Sequence, residues 1–125
     1  MSWTPLHDAA KKGDVEEVVR LVGEGADKEA KESKHGDTAL NVAAFDGQLA
    51  VVNALLREGA SIDAADNNGW TPLISAAYKG HLEVVQALLE QGANKDAAQK
   101  DGATALKLSA QKGHLEVVQA LLDRG

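Results

Sequence analysis

The chain carries an exact internal copy of itself. Residues 79–89 and 112–122 both read KGHLEVVQALL, and they lie 33 positions apart. Weaker copies stand upstream as GQLAVVNALL from Gly47 and GDVEEVVRLV from Gly13. Thr4, Thr38, Thr71 and Thr104 open the units, at spacings of 34, 33 and 33. A period of this size means stacked units, each too small to bury an apolar face alone. The approximate units are 1–31, 32–65, 66–98 and 99–125, forming one domain over 1–125. The one additional residue falls between Ala26 and Gly36, in the first connection.

Each unit has a local reading. Thr is a good N-cap, and Pro5 and Pro72 follow it where a missing N–H costs nothing. A short Ala-rich helix comes next (PLHDAAKK, ALNVAAFD, PLISAAYK, ALKLSAQK) and is expected to end at Gly13, Gly47, Gly80 and Gly113. A second helix, such as LEVVQALLE from Leu82, is expected to run to Gly25, Gly59, Gly92 and Gly125. About ten polar residues then return the chain to the next Thr, as an extended turn or hairpin arm.

These motifs resemble the ankyrin repeat over essentially the whole chain. WTPLHDAA from Trp3 and GWTPLISAAYKGHLEVVQALLEQGA from Gly69 carry the likeness. Departures are mild: Ala39 and Ala105 replace the Pro, and Asn41, Ile74 and Lys107 replace the His kept as His7. The resemblance implies an all-α-dominated repeat solenoid of helix-turn-helix units joined by β-turn or hairpin arms. It also implies non-catalytic protein–protein recognition through the concave face. A structural spacer within a longer multidomain protein is the alternative.

Helical spacing orients the units. Leu82, Val85 and Leu89 share one flank of their helix, and Val84, Ala87 and Leu88 the opposite one, so this helix is expected to be sandwiched. In the first unit Val15, Val18 and Val22 keep one flank, while Glu17 and Arg20 occupy the other and are expected to face water. At the far end Leu115, Val118 and Leu122 are expected to form an uncovered apolar strip, a candidate surface for self-association.

Composition narrows the functional classes. Thirteen Lys and Arg against 19 Asp and Glu leave a net charge of −6, which disfavours nucleic acid. No apolar run reaches the roughly 20 residues of a membrane helix, and Met1–Pro5 has no leader pattern. With no Cys, thiolate chemistry and disulfides are excluded. The expected location is cytoplasmic or nuclear. Neither GxxxxGK[ST] nor GxSxG occurs, and no cofactor, metal or catalytic residue is expected. His81 and His114, one repeat or about 10 Å apart, are too distant to share a metal and are expected to bond locally. His7 resembles the family's helix histidine.

The four aromatics occupy only two places in the repeat. Trp3 and Trp70 precede the opening Thr, while Phe45 and Tyr78 follow the Ala-Ala of the first helix. The resemblance places these positions on the partner-binding groove, and aromatics carry interface hot spots. Lys12, Lys79 and Lys112 each precede a helix-ending Gly, where a cation complements the helix dipole. They also make a basic rim suited to a partner with acidic segments. The expected partner-binding residues are Trp3, Phe45, Asp46, Asn68, Trp70, Tyr78, Lys79 and Lys112. Lys34, His35, Asn67, Lys100 and Asp101 at the arm tips are further candidates for reading a partner.

Overall fold

The computed structural model describes residues 3–124. Eight helices occur among them: α1 (Pro5–Lys12), α2 (Val15–Gly23), α3 (Ala39–Asp46), α4 (Leu49–Arg57), α5 (Pro72–Lys79), α6 (Leu82–Glu90), α7 (Ala105–Gln111) and α8 (Leu115–Asp123). The odd-numbered helices pack side by side in one row and the even-numbered ones in a second row behind it. Every first-row helix starts from its threonine, whose hydroxyl accepts the backbone N–H three residues on, at His7, Asn41, Ile74 and Lys107. Such a cap contributes about 1 kcal/mol.

The first row is thin because its inner positions are Ala. Ala9, Ala10, Ala43, Ala44, Ala76 and Ala77 are all buried, which lets neighbouring helices approach closely. The wider gap between the rows is filled by Leu40, Val51, Val52, Leu55, Leu73, Ile74, Val84, Val85 and Leu88. The second-row helices stop two residues short of the expected glycines. Gly25, Gly59 and Gly92 instead sit one step past the cap residue in the left-handed region. The reason is a closing bond at each end: the N–H groups of Ala26, Ala60 and Ala93 reach back to Leu21, Leu55 and Leu88 carbonyls, each at 3.0 Å. Gly125 lies outside the described residues.

The arms contain no strand among the described residues, only one isolated antiparallel bridge between Ala98 and Thr104. Each is a tight turn organised by one side-chain acceptor. Asp66 Oδ1 accepts the N–H groups of Asn68 at 2.8 Å and Trp70 at 2.9 Å. Gln99 Oε1 accepts from Ala103 at 3.1 Å. In the first arm, which holds one more residue, Glu32 accepts from Lys34 at 2.8 Å, His35 at 2.7 Å and Asp37 at 3.2 Å. A Glu, one methylene longer than Asp66, spans the longer turn, so the added residue is absorbed there. Behind it Val18 is fully buried, and Val15 and Val22 pack on the core. Adjacent arms are tied by Asn67 N–H to His35 carbonyl and Lys100 N–H to Asn68 carbonyl, both 2.9 Å.

The turn between the two helices of a pair also bridges units, where the sequence suggested a local bond. Gln48 Nε2 donates to Lys11 carbonyl at 2.9 Å, His81 Nε2 to Phe45 carbonyl at 3.0 Å and His114 Nε2 to Tyr78 carbonyl at 2.9 Å. One repeat of rise places each side chain over the glycine that ends the preceding first-row helix. Asp14, at the same place in the first pair, caps α2, accepting from Glu17 N–H at 3.1 Å.

The two ends of the stack differ. At the first, Arg20 is exposed and pairs with Glu17 and Glu24 at 2.6 and 2.9 Å. At the other, Leu115 is 76% and Leu122 54% exposed, while Val118 is half-buried and Val117 and Leu121 are buried. No helix among the described residues is long and apolar enough to cross a membrane.

Candidate functional site

The site is assembled from two helices of the first row and the arms in front of them. α3 brings Asn41 and Phe45 at i and i+4, and α5 brings Ser75 and Tyr78 at i and i+3, so each pair shares one helix face. The arms supply His35, Asp37, Asp66, Asn68 and Trp70. Together these nine residues line a half-open cavity of about 480 Å³. Its volume lies in the range of side-chain and small-ligand pockets.

The aromatic wall is ordered by contacts within the protein. Trp70 and Tyr78 meet edge to face, centroids 5.1 Å apart at 87°, a favoured geometry for a ring pair. Phe45 is 44% exposed and Tyr78 half-buried, so both retain surface for a ligand. Asn41 is held by Thr38 N–H, donating to its Oδ1 at 2.9 Å, and itself donates to Ala64 carbonyl at 2.8 Å. The same device appears one unit earlier. His7 Nε2 donates to Asp37 carbonyl at 2.7 Å, which leaves Nδ1 to accept from the Thr4 hydroxyl at 2.8 Å and fixes the neutral tautomer. The backbone carrying Asp37 is therefore pinned from the neighbouring unit.

The charges divide across the site. Lys79 and Lys112 do not line the cavity. Their ammonium groups lie over the rings of Phe45, at 4.9 Å, and Tyr78, at 5.1 Å. Lys11 makes the equivalent diagonal contact one unit earlier, to Asp46 at 3.2 Å. The last residue of each first-row helix thus reaches across to the penultimate one of the helix before it: Asp46 to Lys11, Lys79 to Phe45. Lys112, which caps the end of α7, does the same to Tyr78. This diagonal was not visible in the linear order, because the partners stand 34 or 35 positions apart.

Inside the cavity the charges are acidic, from Asp37 and Asp66. Burial, then the charges of Asp66 and Glu32, push the Asp37 carboxyl above the usual carboxylate range, against smaller opposing effects of His35 and His7. Glu32 goes the other way. Burial alone would raise it, but its three backbone donors together hold it below the ordinary value.

Of the residues expected to bind, Phe45, Asn68, Trp70 and Tyr78 come together on the cavity, Lys79 and Lys112 stand over two of its rings, and Asp46 lies outside the lining, paired with Lys11. Trp3 does not join them. It is exposed at the first end of the stack, its ring 5.2 Å from His7. Asp37, Asp66 and Ser75 are cavity residues that the sequence reading did not single out.

The comparisons agree with this architecture. The family model for ankyrin repeats (3 copies) matches residues 1–66 and 43–125. Ankyrin repeat and SAM domain-containing protein 6 of Mus musculus is 40% identical over 68 residues, 54% of this chain and 8% of that protein. The 2-5A-dependent ribonuclease of Mus musculus is 42% identical over 67 residues, 54% of this chain and 9% of that protein. Potassium channel AKT1 of Oryza sativa subsp. indica is 38% identical over 64 residues, 51% of this chain and 7% of that protein. The aligned part of the chain spans less than a tenth of each of these relatives, whose names cover a channel, a nuclease and a repeat protein. What they share with it is the repeat, and the chain belongs to the ankyrin-repeat family.

Proposed function

We propose that this chain is a non-catalytic recognition module that grips a segment of a partner protein in the groove between its arms and its first helix row. Ankyrin repeats are in general protein-interaction modules, and the observation that carries the reading here is the cavity. Three of the chain's four aromatic residues line it, two of them from adjacent first-row helices, and Phe45 keeps 44% of its surface exposed. Within the chain the exposed part of this ring has only the Lys79 ammonium over it, a contact worth about 0.5–1 kcal/mol. At an interface the same ring is a hot-spot anchor.

The lysines on the helix-side edge suit acidic residues in that part of the partner. Gln48, His81 and His114 are committed to carbonyls of the neighbouring unit, a structural use of the polar side chains in these turns. Cytoplasm or nucleus is the location that fits the absence of Cys.

The test is selection of binders from a random peptide display library on the full chain. Selected peptides are then titrated against the wild type and a Trp70→Ala, Tyr78→Ala double variant. The expected result is a loss of at least about 2 kcal/mol in binding, with the circular dichroism spectrum unchanged. Selection of no peptide, or of peptides indifferent to the double variant and sensitive to Gln86 and Asn53 on the outer helices, would support a spacer or a different binding face.

A further inference from the structure

We propose that the cavity receives the side chain of a partner arginine, its guanidinium lying between the Asp37 and Asp66 carboxylates and against the Trp70, Tyr78 and Phe45 rings. This deepens the groove reading and rests on it.

The charge of the lining comes first. Asp37 and Asp66 line the cavity, neither Lys nor Arg does, and His35 is the one basic group among the nine residues. The two carboxylates differ in how they are held. Asp66 is fixed through Oδ1 by two backbone N–H groups, so its position is set before any ligand arrives. Asp37 has no donor to its carboxylate among the described residues, although its own backbone is pinned by His7 and Glu32.

A half-buried carboxylate beside a second one, offset only in part by His35 and His7, is disfavoured in the free protein. Glu32, in the same arm, shows that this backbone can satisfy a carboxylate fully. The Asp37 carboxylate therefore belongs to the cavity's open side, where its charge and that of Asp66 are complementary to a cation arriving from outside.

The aromatic wall points to the kind of cation. Lys79 and Lys112 already rest on the Phe45 and Tyr78 rings, so these π-faces attract cations in this setting. Both lysines sit on the edge, outside the lining, and leave the cavity itself acidic. Two carboxylates from different arms, together with flat rings, fit a planar cation with several in-plane donors. A guanidinium can donate to both acids while stacking on indole or phenol, which a compact ammonium cannot do equally well. About 480 Å³ accommodates the whole arginine side chain. The net charge of −6 draws basic segments from a distance.

The experiment is an amide NMR titration of the full chain with the peptide acetyl-GSGRGSG-amide and its lysine, citrulline and glutamate analogues, and with calcium chloride alone. The proposal expects shifts confined to the amides around 35–37, 66–70 and 75–78 with the arginine peptide. Binding should be several-fold weaker with lysine, and absent with citrulline and glutamate. Asp37→Asn should weaken the arginine peptide at least tenfold and at the same time raise the melting temperature of the free protein, an outcome that a merely structural role for Asp37 would reverse.

Equal binding of citrulline, undiminished binding to Asp37→Asn, or calcium producing the same shifts and displacing the peptide would each overturn the proposal. If Trp70→Ala abolishes binding while Asp37→Asn does not, the groove reading stands and the guanidinium assignment falls. If neither variant matters, both fall.

Discussion

Glu32 offers the sharpest test of how the longer first arm is built. Its carboxylate is buried and accepts three backbone N–H groups at 2.8, 2.7 and 3.2 Å. A hydrogen bond to a charged acceptor contributes about 1.5–3 kcal/mol. Lys34 and His35 are exposed, so water can take over their N–H groups in a Glu32→Ala variant, and most of the loss comes from Asp37 and the loosened turn. The net cost is then about 2–4 kcal/mol at neutral pH. For a chain of this size each kcal/mol lowers the melting temperature by about 3–6 °C.

Glu32→Asp should recover little, because the shorter side chain fits the tighter turn built on Asp66 and not this one. The pH dependence has a definite sign. The folded protein holds this carboxyl below its ordinary value, so its contribution is complete above the ordinary carboxylate range and disappears as pH falls through the depressed folded value. Urea denaturation of wild type and Glu32→Ala, at neutral pH and near pH 3, measures both effects. A cost under about 0.5 kcal/mol at neutral pH, or the same cost at both pH values, would refute the assignment of Glu32 as the organiser of the arm.

Gly80 and Gly113 share a φ of 77°, but a Cβ at Gly80 would lie 2.6 Å from His114 Nδ1 while Gly113 has open space. Each Ala substitution should cost about 1–2 kcal/mol for the left-handed backbone, with a further ~1 kcal/mol at Gly80 alone for the displaced His114 bond, readable as the difference between two urea midpoints. A Lys79→Met, Phe45→Ala double-mutant cycle should return a coupling of about 0.5–1 kcal/mol; zero coupling would mean that the lysine touches the ring without interacting. Hydrogen exchange should be faster at the amides of residues 115–123 than at 82–90, because Leu115 and Leu122 lack the cover that their counterparts Leu82 and Leu89 have, and equal protection would contradict a stack stabilised by nearest neighbours.

Much of the fold was legible because it rests on local signals repeated four times. Thr before an Ala-rich segment and Gly after it mark a helix whatever surrounds them. The flank reasoning held for the same reason. Once Glu17 and Arg20 are seen where other units carry Val and Ala, one side of the first pair must face water. The second-row helices end two residues before the expected glycines because each glycine occupies the position after the cap. Contacts between units were less legible. His81 and His114 were recognised as equivalent, but their bonds to Phe45 and Tyr78 carbonyls depend on the rise between pairs, which no local pattern reports.

The site divides along the same line. Its aromatics could be found by repeat register alone, and Phe45, Trp70 and Tyr78 do converge. Its acids could have been found by the same means. Residues directly before the opening threonines are Trp3, Asp37, Trp70 and Ala103, so Asp37 stands where two other units place tryptophan. A carboxylate at a position that two other units give to an aromatic is a departure from the repeat, and burial beside Asp66 and Glu32 disfavours its charge there. Asp66 comes from a different register, as the organiser of its own arm, and reaches Asp37 only because each arm is hydrogen-bonded to the next. The acidic pair is thus created by stacking one unit's exception against its neighbour's ordinary turn. A repeat scaffold can acquire a specific site in this way while its core stays nearly invariant.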